Sequence, residues 1–296
     1  MLDISEIKQA ALEVGFDDCG VARADALTDD EYPLREWLRR GWHGDLAYME
    51  RNVDKRMDPR LLVPGAKSVI CCVSAYPPPN DNLPASGGNL GDPENRFDRI
   101  SQDFDGPDKS WKSPKNLQDF HDFAKREKIA AYAKYRDYHK DIKQMLFALR
   151  EKLGIEGKLC CDTVPISDKH WAARAGLGWI GRHTLLITPR WGSWVNLAEI
   201  VTIEECSEYS DYSEKSGNSD FCSNCGRCVA ACPNQALAPD GPPMLNVTRC
   251  TAYYTTHHQR ELPADIDTRG YTQGCDLCQL ACPFNQKKLY NYSSCS

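Results

Sequence analysis

Cys222-Ser-Asn-Cys225-Gly-Arg-Cys228-Val-Ala-Ala-Cys232-Pro233 reproduces the C-x2-C-x2-C-x3-C-P spacing of bacterial ferredoxins. A partial second run follows, Cys275-Asp-Leu-Cys278-Gln-Leu-Ala-Cys282-Pro283. In two-cluster ferredoxins the fourth cysteine of each run ligates the other cluster. That rule gives Cys222, Cys225, Cys228 and Cys282 to one 4Fe-4S cubane. It leaves the second with Cys275, Cys278 and Cys232, one thiolate short. Thr272 occupies the position of the missing cysteine, and Cys250 is the nearest spare thiol. Zinc also uses C-x2-C pairs, but it has no need of three thiolates at x2 steps and a fourth at x3 before proline.

The rest of the chain bounds the reading. At 296 residues it can bury a full core and hold more than one structural unit. No apolar stretch of about 18 residues exists to cross a membrane. Met1-Leu-Asp-Ile-Ser-Glu-Ile-Lys lacks the basic and apolar regions of a signal peptide. With 15 cysteines at metal-ligand spacings, these features point to a reducing cytoplasm rather than a disulfide framework. A net charge of −6 disfavours indiscriminate nucleic-acid binding. A local basic stretch is nevertheless present, because residues 123–152 carry nine Lys or Arg against four acids.

Upstream of the cysteines, apolar spacing predicts helices over 4–14, ended by Gly15, and over 32–40, ended by Gly41. Further helices are expected around 119–128, 139–153 and 167–175. Strands are expected over 67–75, 158–163, 183–188 and 193–203. Residues 77–116, with seven prolines and four glycines, read as one long loop. The result is a mixed α/β or α+β unit over 1–205, then a polar linker and a cluster unit over 206–296. Gly176-Leu-Gly178-Trp-Ile-Gly181 matches G-x-G-x-x-G, but it follows a helix and enters a strand. A dinucleotide site requires the opposite order, so nicotinamide binding is rejected. Asp162, at a strand end near apolar neighbours, is a candidate proton donor. Trp171, Trp179, Trp191 and Trp194 could wall a flat cofactor or simply fill the core.

Five upstream segments add to the cysteine runs: Arg56-Met-Asp-Pro-Arg-Leu-Leu-Val-Pro-Gly-Ala-Lys-Ser-Val-Ile, Ala131-Tyr-Ala-Lys-Tyr-Arg-Asp-Tyr-His-Lys, Asp162-Thr-Val-Pro, Ala175-Gly-Leu-Gly-Trp-Ile-Gly and Leu185-Leu-Ile-Thr-Pro-Arg-Trp-Gly-Ser-Trp. Together they resemble the epoxyqueuosine reductase family over roughly residues 5–285, in a short form without the C-terminal helical-repeat domain of longer members. The resemblance implies a nitroreductase-like cobalamin-binding α/β domain followed by a ferredoxin-like domain, α+β overall. It implies that Cys250 completes the second cluster with Cys232, Cys275 and Cys278. It also implies that the clusters reduce base-off cobalamin beside the epoxide and that Asp162 supplies the proton. Arg56, Asp162, His183, Thr184, Ser193 and Tyr253 are the implied cobalamin contacts. Implied partners are tRNA carrying epoxyqueuosine, gripped by the basic stretch, and a flavodoxin- or ferredoxin-type low-potential donor, the enzyme being a monomer. Ser167-Asp168-Lys169-His170 departs from the family's Leu-Glu-Arg-Ala-like run. Two other readings remain open: an electron-transfer protein without cobalamin, and a corrinoid reductase acting on another substrate.

Overall fold

The computed structural model describes residues 1–29, 32–78, 128–134, 137–210, 222, 224–257 and 261–286. Of the helix expected around 119–128, Lys128 begins a short strand instead, and residues 119–127 lie outside the described residues. So do most of the expected 77–116 loop, the linker from 211, and Lys125, Arg126, Arg136 and Cys295.

The first helix, α1 (Ile4–Glu13), starts where the Asp3 carboxylate accepts from the Ser5 N–H at 2.7 Å. An N-cap acid satisfies donors that the first turn leaves free. Its apolar residues recur at helical spacing, so Ile7, Ala10 and Ala11 form one buried face. The second helix, α2 (Leu34–Arg39), stops before Gly41, whose φ of 65° breaks the helical path. A short α3 (Val53–Met57) precedes the first long strand.

A four-stranded sheet organises the unit, in the order β1 (Asp18–Arg23), β2 (Ser68–Ala75), β7 (Val195–Thr202), β4 (Gly157–Cys160). Every neighbouring pair is antiparallel, so the unit is α+β rather than a parallel α/β sheet. β2 is buried along nearly its whole length, which explains its unbroken apolar run. Alternate residues serve opposite layers. Ile70 and Cys72 pack toward α1 and α4 (Tyr138–Leu153), together with Phe16, Leu146 and Leu149. Val69, Cys71 and Val73 pack toward α5 (Asp168–Arg174) and its fully buried Trp171. Cys19, Cys71, Cys72, Cys160, Cys161 and Cys206 are all free and buried, small apolar filler in these layers.

The Gly-Leu-Gly-Trp segment turns α5 into a small hairpin, β5 (Trp179–Ile180) with β6 (Leu186–Ile187). A Cβ at Gly178 would lie 2.1 Å from the Ile187 carbonyl oxygen. These glycines therefore permit backbone contact; they do not cradle phosphates. Expected strands 158–163 and 183–188 are shorter than anticipated, because chain reversals take over after Cys160 and around Thr184. Three of the tryptophans, Trp171, Trp179 and Trp194, are core residues.

The cysteine-rich region folds as short helices, α6 (Arg227–Ala231), α7 (Leu277–Leu280) and α8 (Pro283–Gln286), with β3 (Lys128–Ile129) paired in parallel to β8 (Tyr271–Gln273). It docks directly on the sheet unit. Trp37 Nε1 donates to the Leu245 carbonyl at 2.6 Å, and Trp179 meets Phe284 edge-on at 4.9 Å. Among the described residues no helix is long and apolar enough to cross a membrane.

Candidate functional site

The eight motif cysteines separate into two groups by mutual influence. Burial, followed by the charges of Cys282 and Cys222, raises the Cys228 thiol to about 11, and Cys282 in turn responds to Cys222 and Cys225. In the other group, burial and then Cys250, Cys275, Cys228 and Cys232 raise Cys278, so this thiol also feels one member of the first group, while burial, Cys250 and Cys232 raise Cys275 to about 11. Thiolates crowded in this way repel one another unless a cation core compensates, which is the chemistry that metal binding supplies. Among the described residues no three His, Cys, Asp or Glu side chains converge on a single-ion site. Four thiols spread around a bulkier cluster core fit this arrangement better than a zinc ion does. Cys225 is exposed, whereas Cys278 is half-buried.

A cavity of about 400 Å³ lies between the two parts of the molecule. Tyr32, Trp37, Tyr48 and Tyr132 wall it from the sheet side, and Met244, Leu245, Val247 and Tyr253 from the cysteine-rich side. Cys250 is part of the same wall, which puts one thiol of the second group against the cavity. Flat aromatic and aliphatic walls with few polar groups suit a large, mostly apolar-faced ligand.

The expected cofactor contacts divide. Thr184 and Tyr253 line the cavity. Thr184 has a φ of 66° and accepts at its carbonyl from Lys169 Nζ at 2.6 Å, while the Tyr253 hydroxyl donates to the Asp45 carboxylate. Arg56 backs the wall from behind, donating from Nη2 to the Tyr48 carbonyl at 3.4 Å. His183 is 3 % exposed; its Nδ1 accepts from the Leu185 N–H at 3.2 Å, so Nε2 carries the proton, and no partner meets it. Burial, then Lys169, holds this ring neutral, with its pKa pushed down to about 4. His183 is not among the residues lining the cavity; it directly precedes Thr184 in the chain. Ser193 is elsewhere. Its hydroxyl donates to Gln279 Oε1 at 2.9 Å and accepts from Asn285 Nδ2 at 2.8 Å, tying the sheet unit to the cysteine-rich region.

Asp162 occupies the turn after β4 with a φ of 55°, a left-handed conformation that aspartate tolerates better than most residues. Its surroundings are polar rather than apolar. The Tyr138 hydroxyl donates to Oδ2 at 2.8 Å, and His139 Nε2 lies 3.0 Å from the same oxygen. Asp137 holds His139 Nδ1 at 2.6 Å. Burial and the Asp162 charge raise the Tyr138 phenol far above its ordinary range, so it stays a donor. Tyr138 and His139 belong to a segment already notable in the sequence, but only the fold shows that they reach Asp162. Lys140 and Lys143 are exposed on the same helix. Of the other described members of the basic stretch, Lys152 pairs with Glu13 at 2.8 Å and Arg150 with Glu151 at 3.2 Å.

Behind this corner lies a carboxyl pair that sequence reasoning did not single out. Glu199, in register with Cys71 and Cys160 on the α5 side of the sheet, is fully buried and hydrogen-bonds to the Asp168 carboxyl. Asp168, at the start of α5, faces it. Burial raises Asp168 to about 6, and burial followed by the Asp168 charge raises Glu199 well above the carboxylate range. An acid at the centre of a strand is the signal that could have revealed this pair.

Comparison with known proteins bears on what such a site does. Residues 221–285 match the model of a 4Fe-4S double cluster binding domain. The chain is similar to the epoxyqueuosine reductase of Cyclobacterium marinum, 34% identical over 287 residues that cover 95% of this chain and 78% of that protein. The Vibrio cholerae epoxyqueuosine reductase is 31% identical over 291 residues, covering 95% and 67%. Among solved structures, an epoxyqueuosine reductase bound to an epoxyqueuosine-modified tRNA-Tyr stem loop superposes with a TM-score of 0.73 at 26% identity. The match covers 96% of this chain and spans 65% of the length of that one. A Bacillus subtilis epoxyqueuosine reductase, whose catalytic aspartate loop is swung out of its active site, matches with a TM-score of 0.68 at 26% identity, covering 96% and 65%. A B12-dependent reductive dehalogenase shares the fold alone, with a TM-score of 0.52 at 14% identity over 94% of this chain and 31% of that one.

Proposed function

The chain belongs to the epoxyqueuosine reductase family, and from that premise we propose that it reduces epoxyqueuosine to queuosine in the wobble position of tRNA. Two electrons and two protons remove the epoxide oxygen as water. The observation that carries this reading is the shared wall, since Cys250 of the second thiol group borders the cavity.

On this reading residues 1–205 form a nitroreductase-like catalytic unit and 206–296 the two-cluster unit. Cys222, Cys225, Cys228 and Cys282 hold the outer 4Fe-4S cluster, which a flavodoxin- or ferredoxin-type donor reduces through the exposed Cys225 side. Cys232, Cys250, Cys275 and Cys278 hold the inner one, against the cavity. A corrinoid bound in that cavity supplies low-potential reducing power at carbon. Tyr32, Trp37 and Tyr132 exclude water there, and Thr184 meets the ligand's polar periphery. Asp162 passes a proton to the oxygen leaving the substrate, while Tyr138 and His139, both at Oδ2, fix its carboxyl in place. Lys140 and Lys143, on the same helix, meet tRNA phosphates. The enzyme acts as a monomer in the cytoplasm.

The decisive experiment is anaerobic reconstitution with cobalamin, then incubation with epoxyqueuosine-containing tRNA and nucleoside mass analysis. Asp162→Ala should retain iron, sulfide and cobalamin yet lose about 10²–10⁴-fold in turnover. Unchanged turnover in that variant would remove Asp162 from the mechanism. Cofactor binding with no queuosine from the unaltered enzyme would reject the substrate.

A further inference from the structure

His170 is the only imidazole among the residues lining the cavity. It stands where the resembled family run has an alanine-like residue. Two contacts fix its ring: Nδ1 lies 2.6 Å from Ser167 Oγ, and the ring stacks on Tyr32 at 4.2 Å and 26°. Ser167 is buried, and its hydroxyl also faces the Tyr32 phenol, which gives it an acceptor of its own. When the serine oxygen accepts Nδ1–H, the lone pair falls on Nε2, which bonds no described residue. Burial, then Lys169, pushes the ring down to about 3, so it is neutral at physiological pH. An imidazole anchored through one nitrogen, with the other left bare, is the arrangement of metal-ligating histidines. His183 is built the other way round. Its Nδ1 accepts from backbone and its Nε2 keeps the proton, so it donates rather than ligates.

Resting on the corrinoid reading of the cavity, we propose that His170 Nε2 is an axial nitrogen ligand of the corrinoid's cobalt. An axial donor stabilises Co(II) over Co(I), which favours four-coordination. The ligand therefore also shifts the reduction potential.

The test uses the holoprotein with oxidised, EPR-silent clusters, loaded with cob(II)inamide, a corrinoid that lacks the nucleotide base. Any nitrogen coupling then comes from the protein. Each cobalt hyperfine line should split into a triplet, become a doublet when histidine carries heavy nitrogen, and lose the splitting in His170→Ala. His183→Ala should keep the triplet. The Co(II)/Co(I) couple of His170→Ala should move to a less negative potential. Labelling the unaltered chain, and His170→Gln, cover the case in which the alanine variant fails to fold. Bound cobinamide without nitrogen splitting, or a triplet that survives in His170→Ala, overturns the proposal while leaving the corrinoid reading intact. Failure of both cobinamide and cobalamin to bind overturns the reading and the proposal together.

Discussion

Replacing Glu199 by glutamine should make the protein more stable at neutral pH and leave it nearly unchanged in acid. Glu199 and Asp168 both have folded-state pKa values above their ordinary ones. Such groups hold protons in the folded state that the unfolded chain has already released, so stability falls as pH rises through that window. Asp168 moves from 3.8 to about 6, roughly 2 units, at about 1.4 kcal/mol each. Its share is thus about 3 kcal/mol, lost between about pH 4 and pH 6, and the Glu199 share is lost above that. Glutamine at 199 takes no part in the titration, removes the carboxyl that burial and the Asp168 charge hold protonated, and can donate an amide N–H to Asp168 in its place. For a unit of about 200 residues, each kcal/mol moves the thermal midpoint by about 2–4 °C. Both proteins carry the burial-driven Asp168 share, so on going from about pH 5 to pH 8 the wild-type midpoint should drop further than the variant's by the Glu199 share alone, at about 2–4 °C for each kcal/mol. The assay is anaerobic thermal unfolding of both holoproteins across that range at one scan rate, read as their difference so that acid effects on the clusters cancel. Parallel pH profiles would refute the protonated-pair account of this site.

Cys250→Ser should cut iron and acid-labile sulfide toward half and abolish turnover, because the inner thiol group loses the member that touches the cavity. Full iron content by elemental analysis would assign that cluster's fourth ligand elsewhere. Tyr138→Phe deletes the 2.8 Å donor to Asp162. A hydrogen bond to a charged group is worth about 1.5–3 kcal/mol, reduced to about 1 at a half-exposed site, so turnover should fall about fivefold with cobinamide affinity unchanged. Steady-state rates and a binding titration check both halves of that expectation.

The elements most legible in the sequence were those whose signal is local. The helix over 4–14, the buried strand at 67–75 and the cysteine runs each declare themselves through spacing. The G-x-G-x-x-G segment was also decided locally, by the order of its neighbours. Less legible was anything that depends on which strand lies beside which. The antiparallel order β1-β2-β7-β4 brings Glu199 between Cys71 and Cys160, and no periodicity in β7 reveals what covers that residue. The same holds for Tyr138, His139 and Asp162, which are 24 residues apart at their widest hydrogen bond. Ser193 shows the converse. Its segment was rightly singled out, yet its hydroxyl faces Gln279 and Asn285 rather than the cavity. The tryptophans could be read as cofactor wall or core from sequence, and Trp171, Trp179 and Trp194 prove to be core. Tyr32, Trp37 and Tyr48 form the wall instead, on a segment with no motif to announce it.

The interleaving of the two thiol groups has a consequence for the order in which the molecule matures. The stretch that carries Met244, Leu245, Val247 and Tyr253 to the cavity lies between Cys232 and Cys275, with Cys250 at its middle. Among its described residues the regular structure is short: a bridge between Leu237 and Leu245, a single turn at Val247–Arg249, a wide turn at Tyr253–His257 and β8. On the proposed assignment, three thiols of the inner cluster fasten this stretch, beyond the hydrogen bonds from Trp37 and to Trp42 that already hold it to the sheet unit. Iron and sulfide would then tighten half of the cavity wall, and protein made without iron should retain a corrinoid poorly.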